Sequence, residues 1–357
     1  LQHFLVKSCF RKNMCHITNS KEWYPQPILA LGTIIATRAK KATIDKEKNG
    51  YRTGLWLVPA SGAAPARQLT NTEPGEKLIR DWSPRWSPDG SKVAFLSNRS
   101  GKDQIWILPM DGGEAYRLSG MEDSVSEIAW SPDGKKIALA VKSGERDAIY
   151  LVDVNTGDEE KLEFDLEGIF SVDWSRQGDK LAFVGNTTTQ SDIFIYNLKT
   201  KELTNLTNDI FSDSDPAFSP DGKKVFFVSD RRQYTDAQLL PKKFSMVNFN
   251  YSQLDIYAVT VESKNIERIT SYEESDETNP LLSPDGTKML YVSDRNGIGN
   301  VYERNLITGE DRPITNSITG VYQLSISADG NKLAFSSLNQ AGFDLFLMKT
   351  PFEKKLA

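Results

Sequence analysis

The chain of 357 residues carries 43 lysines and arginines against 48 aspartates and glutamates, and this net charge of −5 argues against a general nucleic-acid-binding protein. No apolar run approaches the roughly 18 residues of a membrane-spanning helix, so we expect no membrane span. Cys9 and Cys15 are the only cysteines and make no disulfide framework, and we identify no signal peptide in the N-terminal stretch, which lacks an uninterrupted apolar core.

The N-terminal part of the chain contains predicted strands but lacks the regular repeat that begins further along the sequence. Residues 1–12 are expected to be an extension, whereas residues 13–20 resemble the last strand of a repeat, because Ile17-Thr18-Asn19 returns as Leu69-Thr70-Asn71. Residues 28–36 predict two strands, and the charged segment 40–53 predicts a long loop.

A turn of sequence Ser-Pro-Asp-Gly, or a close variant, then recurs along the chain. Proline presets φ, aspartate can bond its own backbone, and glycine closes the turn without a Cβ clash. An apolar strand precedes each turn, and an alternating strand, an aromatic strand and a short last strand follow it. The turn serines are spaced by 44 residues, with one spacing of 64, at Ser87, Ser131, Ser175, Ser219, Ser283 and Ser327. Four antiparallel strands in 40–45 residues are typical of a β-propeller blade.

Strand counting predicts the number of blades. Seven aromatic third strands are present, but only six fourth strands follow a third strand within their own unit. We therefore predict an all-β, seven-bladed β-propeller over residues 13–350, closed by the N-terminal strand at 13–20, which completes the last blade and hides its edge. Residues 351–357 are expected to form a tail.

The 64-residue unit contains an insertion over residues 232–252, between the second and third strands of the fifth blade. A long insertion in one blade is more often functional than incidental. It carries apolar residues that a solvated loop would not need, namely Leu239, Leu240, Phe244, Met246 and Phe249.

These repeats resemble the PD-type propeller repeat. The resemblance rests on Trp-Ser-Pro-Asp-Gly at 86–90 and 130–134, Phe-Ser-Pro-Asp-Gly at 218–222, and Ser-Asp-Arg at 229–231 and 293–295. The repeat occurs in TolB, the periplasmic propeller of the Tol–Pal system, and in the non-catalytic N-terminal propeller of prolyl oligopeptidase-family serine peptidases, such as acylaminoacyl and dipeptidyl peptidases. The turn Ser175-Arg176-Gln177-Gly178 departs from the pattern but still permits a turn.

The resemblance implies two alternative functions. A TolB-like protein would be a periplasmic module that binds a protein or peptide, whereas a peptidase propeller would be a cytoplasmic gating domain whose hydrolase domain is absent from this chain. The compartment stays open at this point. The gene sequence beyond Ala357 would discriminate between the two.

The residues themselves predict no catalysis. No Gly-x-Ser-x-Gly elbow is present, and the only histidines, His3 and His16, precede nearly everything else, so a Ser…Asp…His triad cannot be built. No phosphate loop or zinc spacing occurs, and the acidic loops lack the spacing of a calcium loop. We therefore expect no cofactor and no metal.

Three arginines occupy equivalent positions after a second strand, Arg99, Arg231 and Arg295. We expect each to pair with a neighbouring carboxylate and fix its loop, with a binding role as the alternative. The pair Glu273-Glu274 is similar to the paired glutamates with which dipeptidyl peptidases hold a substrate amino group, but a solvated loop is the favoured interpretation.

In a propeller, the loops from fourth to first strand and from second to third strand share one face, here called the acidic face because acidic residues dominate those loops. Lysines follow the glycines on the opposite turn face. We hypothesise that a basic or amphipathic partner segment docks at the acidic mouth of the channel of a monomeric propeller, with the insertion as one wall. The alternative is that the insertion folds back on its own blade. The predicted contact residues are Asp213, Asp215, Glu274, Asp276, Glu277, Arg231, Phe244 and Phe249.

Overall fold

A computed structural model describes residues 5–8, 14–18, 27–29, 34–37, 43–45, 50–60, 64–71, 78–144, 146–236, 240–339 and 342–356. The strands of these residues, in chain order, are β1 Leu5–Ser8, β2 Met14–Thr18, β3 Pro27–Leu29, β4 Ile34–Thr37, β5 Thr43–Asp45, β6 Gly50–Arg52, β7 Trp56–Pro59, β8 Arg67–Gln68, β9 Asp81–Trp86, β10 Lys92–Ser97, β11 Gln104–Pro109, β12 Tyr116–Arg117, β13 Val125–Trp130, β14 Lys136–Ser143, β15 Arg146–Asp153, β16 Glu159–Glu163, β17 Gly168–Trp174, β18 Lys180–Asn186, β19 Ser191–Asn197, β20 Glu202–Asn205, β21 Asp213–Phe218, β22 Lys224–Ser229, β23 Asp255–Thr260, β24 Ile266–Arg268, β25 Glu277–Leu282, β26 Lys288–Ser293, β27 Asn300–Asn305, β28 Asp311–Pro313, β29 Val321–Ile326, β30 Lys332–Asn339 and β31 Gly342–Lys349. Two single-turn 3₁₀ helices, Met246–Asn248 and Pro351–Glu353, are the helices of the described part.

The sheets confirm an all-β propeller of four-stranded antiparallel blades. Within the described ranges, six sheets have four strands, where the sequence predicted seven such blades, and they run β3-β4-β7-β8, β12-β11-β10-β9, β13-β14-β15-β16, β17-β18-β19-β20, β21-β22-β23-β24 and β25-β26-β27-β28. A further sheet has five strands in the order β1-β2-β31-β30-β29, because β1, in the predicted extension, pairs with β2. In that sheet β2 pairs with β31 from Met14–Met348 to Ile17–Leu345.

The segment 40–53, predicted as a loop, contains a β-hairpin. β5 and β6 pair in antiparallel with Ile44 opposite Tyr51. β-branched and aromatic residues favour extended backbone, and here that preference prevails over the surrounding lysines.

Each Ser-Pro-Asp-Gly turn is held by its own side chains. The hydroxyl of Ser87 donates to Asp89 Oδ1 at 2.6 Å and accepts from the Lys92 amide at 2.9 Å, while Gly90 adopts φ +71°. The serine hydrogen bond holds the pKa of Asp89 down at about 2. In the departing turn, Ser175 instead donates to Asp179 at 2.9 Å, so the turn keeps its serine bridge without the Pro-Asp pair.

The tryptophans before the turns lie between neighbouring sheets. The indole of Trp130 donates to the Arg85 carbonyl at 3.1 Å, and the indole of Trp174 donates to the Ala129 carbonyl at 3.0 Å. These two indoles therefore join their sheets to the first strand of the preceding sheet by hydrogen bonds. First strands contact one another in the order β3, β9, β13, β17, β21, β25 and β29, and β29 contacts β3.

Candidate partner-binding face

The predicted contact residues fall in separate places. Arg231, Asp213 and Glu277 are buried, with exposed fractions of 1%, 2% and 0%. The prediction that these three contact a partner is therefore wrong, because a partner cannot reach side chains that the surrounding loops already enclose.

Arg231 holds two loops of the fifth repeat unit together. Its Nη1 lies 2.6 Å from Asp209 Oδ2, its Nη2 lies 2.7 Å from Asp213 Oδ1, and its Nε donates to Ser229 Oγ at 3.0 Å. Burial raises the pKa of Asp213 to about 6, against the opposing effect of the Arg231 charge. The expected pairing of the loop arginine with a neighbouring carboxylate is confirmed here, and also for Arg99, which lies 2.5 Å from Asp81.

Arg295 does not follow the same rule. Its guanidinium carbon lies 3.4 Å from the ring centroid of Tyr272 and 3.9 Å from that of Tyr302. It also donates to Ser293 Oγ and to the hydroxyl of Tyr291. Within the described ranges it makes no salt bridge. The carboxylate pairing predicted for Arg295 is wrong, because two aromatic rings enclose the guanidinium instead.

An open cleft of about 520 Å³ lies between the end of the insertion and the loop before β25. We call it the acidic cleft, and its lining residues are Arg232, Asn250, Ser252, Gln253, Glu273, Glu274, Ser275, Asp276 and Asp294. Glu274 and Asp276, two predicted contact residues, therefore lie together, and one wall is the insertion. Asp294 was not among the predicted contact residues, although it belongs to the same Ser-Asp-Arg motif as Arg295.

Two acidic side chains of the acidic cleft accept hydrogen bonds from backbone amides, and two others are exposed without a salt bridge to another described residue. Asp276 Oδ1 accepts from the Leu254 amide at 2.9 Å, and Asp294 Oδ1 accepts from the Asp276 amide at 2.8 Å. Glu273 and Glu274 are exposed, and no salt bridge joins either of them to another described residue. Glu274 adopts φ +57° at the tip of its loop, which turns the chain back toward β25.

Three aromatic residues of the insertion, Tyr234, Phe244 and Phe249, pack on their own repeat unit, whereas Tyr251 is exposed. Phe211 is 1% exposed, and the ring centroids of Phe244 and Phe249 lie 5.8 Å and 5.6 Å from its own. Tyr234 lies 5.2 Å from Phe244 and closes the cluster. The alternative that the insertion folds back therefore holds for Phe244 and Phe249, whereas Leu239 lies outside the described residues. Val247, in the short 3₁₀ helix, remains 89% exposed.

Asp215 lies in the central cavity rather than in the acidic cleft. This cavity of about 640 Å³ is lined by the first strands of six sheets. Asp215 is exposed to the cavity and Asp173 is half-buried, but desolvation by the surrounding protein raises the pKa of Asp215 and raises that of Asp173 to about 6. Asp173 also accepts a hydrogen bond from the Phe218 amide at 3.1 Å. The predicted single acidic mouth thus divides into a cavity and a separate cleft.

The departing turn crosses one end of this cavity. Arg176 donates to the Pro284 carbonyl at 3.0 Å, and Gln177 donates to the Pro220 carbonyl at 3.2 Å, so one turn contacts the turns of two other sheets. Sequence reasoning recognised the departure but assigned it no consequence. A proline and an aspartate at these positions could not make these two hydrogen bonds.

The part of the chain that the structure describes contains neither a candidate metal-ligand cluster nor a candidate membrane-spanning helix. No group of three or more histidine, cysteine, aspartate or glutamate side chains there is arranged to hold a metal ion. None of the helices found there is long and apolar enough to cross a membrane.

The repeated turns and the sheets arranged around a central cavity define a β-propeller. The PD40 family, described as the TolB beta propeller domain, matches residues 42–163, 127–250 and 241–356. The chain belongs to this family.

Its relatives are of the two kinds that the repeats resemble. Over 90 residues the chain is 36% identical to the uncharacterized peptidase YuxL of Bacillus subtilis, and these residues make up 24% of this chain and 12% of that protein. It is 30% identical over 84 residues to the Tol-Pal system protein TolB of Methylococcus capsulatus, which is 24% of this chain and 18% of that protein. Each match therefore spans less than a fifth of the relative.

Among solved structures, the β-propeller domain of the Trilobed protease from Pyrococcus furiosus matches with a TM-score of 0.65. The match covers 95% of this chain and 100% of that chain at 17% sequence identity. At this identity the likeness shows the fold alone.

Proposed function

We propose that this chain is a non-catalytic propeller that binds a protein or peptide, and that a basic segment of the partner docks in the acidic cleft. One observation carries the proposal. Glu273 and Glu274 are exposed at the cleft and make no salt bridge with another described residue, while the neighbouring Asp276 and Asp294 are oriented by backbone amides. A lysine or arginine side chain would supply the missing counter-charge.

The insertion, which forms one wall of the acidic cleft, favours an amphipathic partner segment over an isolated cation. Val247 is exposed three residues before Asn250, which lines the cleft. An exposed aliphatic side chain on the insertion, together with the unpaired carboxylates of the cleft, offers an amphipathic segment both an apolar and an ionic contact. Attraction by the carboxylates speeds association and weakens with salt.

Reversing the two free charges is expected to weaken binding at least tenfold. Peptides are first selected from a random displayed library against the wild-type chain, and we expect them to be enriched in lysine and arginine. The variant Glu273→Lys/Glu274→Lys should then bind these peptides at least tenfold more weakly, because the cleft now repels them. Fluorescence titration at low and high salt measures the change.

A matched control carries the same change in net charge on the turn face. Glu262 and Glu310 are exposed in turns between third and fourth strands, so Glu262→Lys/Glu310→Lys should leave peptide affinity within about twofold. Selected peptides without basic residues, or equal loss in both variants, would refute docking in the acidic cleft. Deletion of the insertion is a poorer test, because it would uncover Phe211.

The second candidate is the propeller domain of a serine peptidase. The similarity to YuxL, whose name describes a peptidase, favours it. The gene sequence after Ala357 tests it, because a following domain with a Gly-x-Ser-x-Gly elbow would establish this function.

Under both candidates the isolated chain is expected to hydrolyse neither peptides nor esters. The sequence has no nucleophile elbow, and its only histidines are His3 and His16. Purified protein is assayed with chromogenic peptide and ester substrates. Turnover that survives repeated purification and is abolished by a serine-directed inhibitor would contradict the prediction.

We also propose that the five-stranded sheet serves as a seventh blade and that β2 closes the ring. The pairing of β2 with β31, and the contact of β29 with β3, support this arrangement. A shared strand would hide the edge between the first and last blades.

A further inference from the structure

Three buried acids occupy the same position in three sheets. Asp81, Asp213 and Glu277 are each the first residue of a first strand, at the start of β9, β21 and β25. Asp81 and Asp213 have arginine partners. Glu277 makes no salt bridge among the described residues, because the equivalent Arg295 lies between the rings of Tyr272 and Tyr302.

Glu277 and Asp255 each have one carboxyl oxygen that accepts no hydrogen bond from another described residue. Glu277 Oε1 accepts from Ser275 and Ser293 at 2.7 Å and 2.8 Å, but Oε2 has no donor among the described residues. Asp255 Oδ2 lies 2.6 Å from Arg268 Nη2, while Oδ1 has no such donor. Both side chains are 0% exposed, the Glu277 amide donates to the carbonyl of Leu254, the residue before Asp255, and each carboxyl group acts on the pKa of the other.

Two ionised carboxylates cannot satisfy each other's unpartnered oxygens, because both are acceptors only. One proton resolves the problem for both residues at once, since a protonated carboxyl is a donor. We propose that Glu277 is protonated in the folded protein and donates from Oε2 to Oδ1 of Asp255, and that this shared proton is a pH-sensitive lock between β23 and β25.

The proposed shared proton lies where a backbone hydrogen bond already joins the start of β25 to the residue before β23. The Glu277 amide donates to the Leu254 carbonyl at 2.8 Å, and the Leu254 amide donates to Asp276, which lines the acidic cleft. Loss of the proton would leave two buried negative charges across this junction, with the single Arg268 counter-ion in contact with Asp255. The experiments below measure the stability and protonation of the chain, so their outcome does not depend on whether the acidic cleft binds a partner.

The surrounding groups decide the sign of the pH effect. Burial raises the pKa of Glu277 to about 7, and the charge of Asp255 adds to the effect. A folded pKa above the ordinary 4.5 means that the folded state binds the proton more tightly, so its stabilisation is complete below pH 4.5 and is lost as the pH rises to about 7. The other titratable and charged groups that act on the pair are Arg232, Tyr257, Arg268, Arg295 and Tyr302.

The variant Glu277→Gln tests the lock, because an amide is a permanent neutral donor of the same shape. Thermal unfolding is followed at about pH 5 and about pH 8.5. We expect the variant to match wild type at the lower pH and to melt roughly 3 °C or more above it at the higher pH. Asp173 and Asp213 also have pKa values raised to about 6, so only the difference from wild type isolates Glu277.

Asp81→Asn is the matched control, since it occupies the same strand position but removes the partner of Arg99. It should melt below wild type at both pH values. If Glu277→Gln keeps the wild-type pH slope, or is destabilised equally at both values, the shared proton is refuted.

Infrared difference spectroscopy gives a readout that does not depend on the stability of a variant. A protonated carboxyl C=O band that the variant Glu277→Gln lacks should disappear from the folded wild-type protein between pH 6 and 8, in the range about the raised pKa of Glu277. Asp255→Asn, which removes the like-charged neighbour, should move the loss of this band to lower pH. A wild-type spectrum without the band at pH 6, or an unchanged titration in Asp255→Asn, overturns the proposal.

Discussion

Replacing Arg231 with methionine is expected to lower the free energy of unfolding by about 3–5 kcal/mol, because it leaves two buried carboxylates without their shared counter-ion. Arg231 contacts Asp209 at 2.6 Å and Asp213 at 2.7 Å, and all three side chains are enclosed. Methionine fills much of the volume beside Phe227 and Tyr257, so the loss reports the charge rather than a cavity. Urea unfolding measures the change.

The loss should depend on pH in a defined direction. Burial already raises the pKa of Asp213 to about 6 while Arg231 is present. Without the arginine, this pKa rises further, so the folded variant binds protons more tightly than the unfolded chain. The deficit relative to wild type should therefore be larger at pH 8 than at pH 5.

Arg232→Met is the control for this substitution. Arg232 is only partly buried, and its guanidinium donates to Gln253 at 2.9 Å, so we expect a loss of about 0.5–1.5 kcal/mol. Equal losses in the two variants, or a deficit in Arg231→Met that does not change with pH, would show that the buried ion pairs do not hold these loops.

Deleting residues 1–20 is expected to lower the free energy of unfolding by about 3 kcal/mol or more. The deletion removes β2 and so frees the edge of β31, in which Leu345 and Leu347 are buried. An uncovered edge also presents unpaired backbone groups to other chains. Thermal unfolding and concentration-dependent light scattering measure the two consequences.

Deleting residues 1–8 provides the comparison, because it removes β1 and leaves β2. β1 pairs with β2 at the outside of the five-stranded sheet. We expect a clearly smaller loss of stability and no new association. A deletion of residues 1–20 that melts at the wild-type temperature would reject closure by the N-terminal strand.

Local sequence determined the repeated architecture of this protein. The Ser-Pro-Asp-Gly turns contain their own serine–aspartate hydrogen bonds, so each turn forms wherever its residues occur. The alternation of apolar residues marks the strands, and the tryptophan before a turn marks a contact between sheets. The sequence thus predicted the four-stranded unit and which loops share a face. It also brought Glu274 and Asp276 together.

Tertiary structure decided which acidic residues are free and which are enclosed. Asp213 and Glu277 follow acidic loops like that of Glu274 in the sequence, but in the fold they begin strands β21 and β25 and are buried, whereas Glu274 is exposed. That difference depends on residues far apart in sequence, since the insertion covers Phe211 and the rings of Tyr272 and Tyr302 enclose Arg295. A repeat period fixes the position of a residue in its own unit, whereas its burial and its counter-ion depend on long-range packing that no local pattern records.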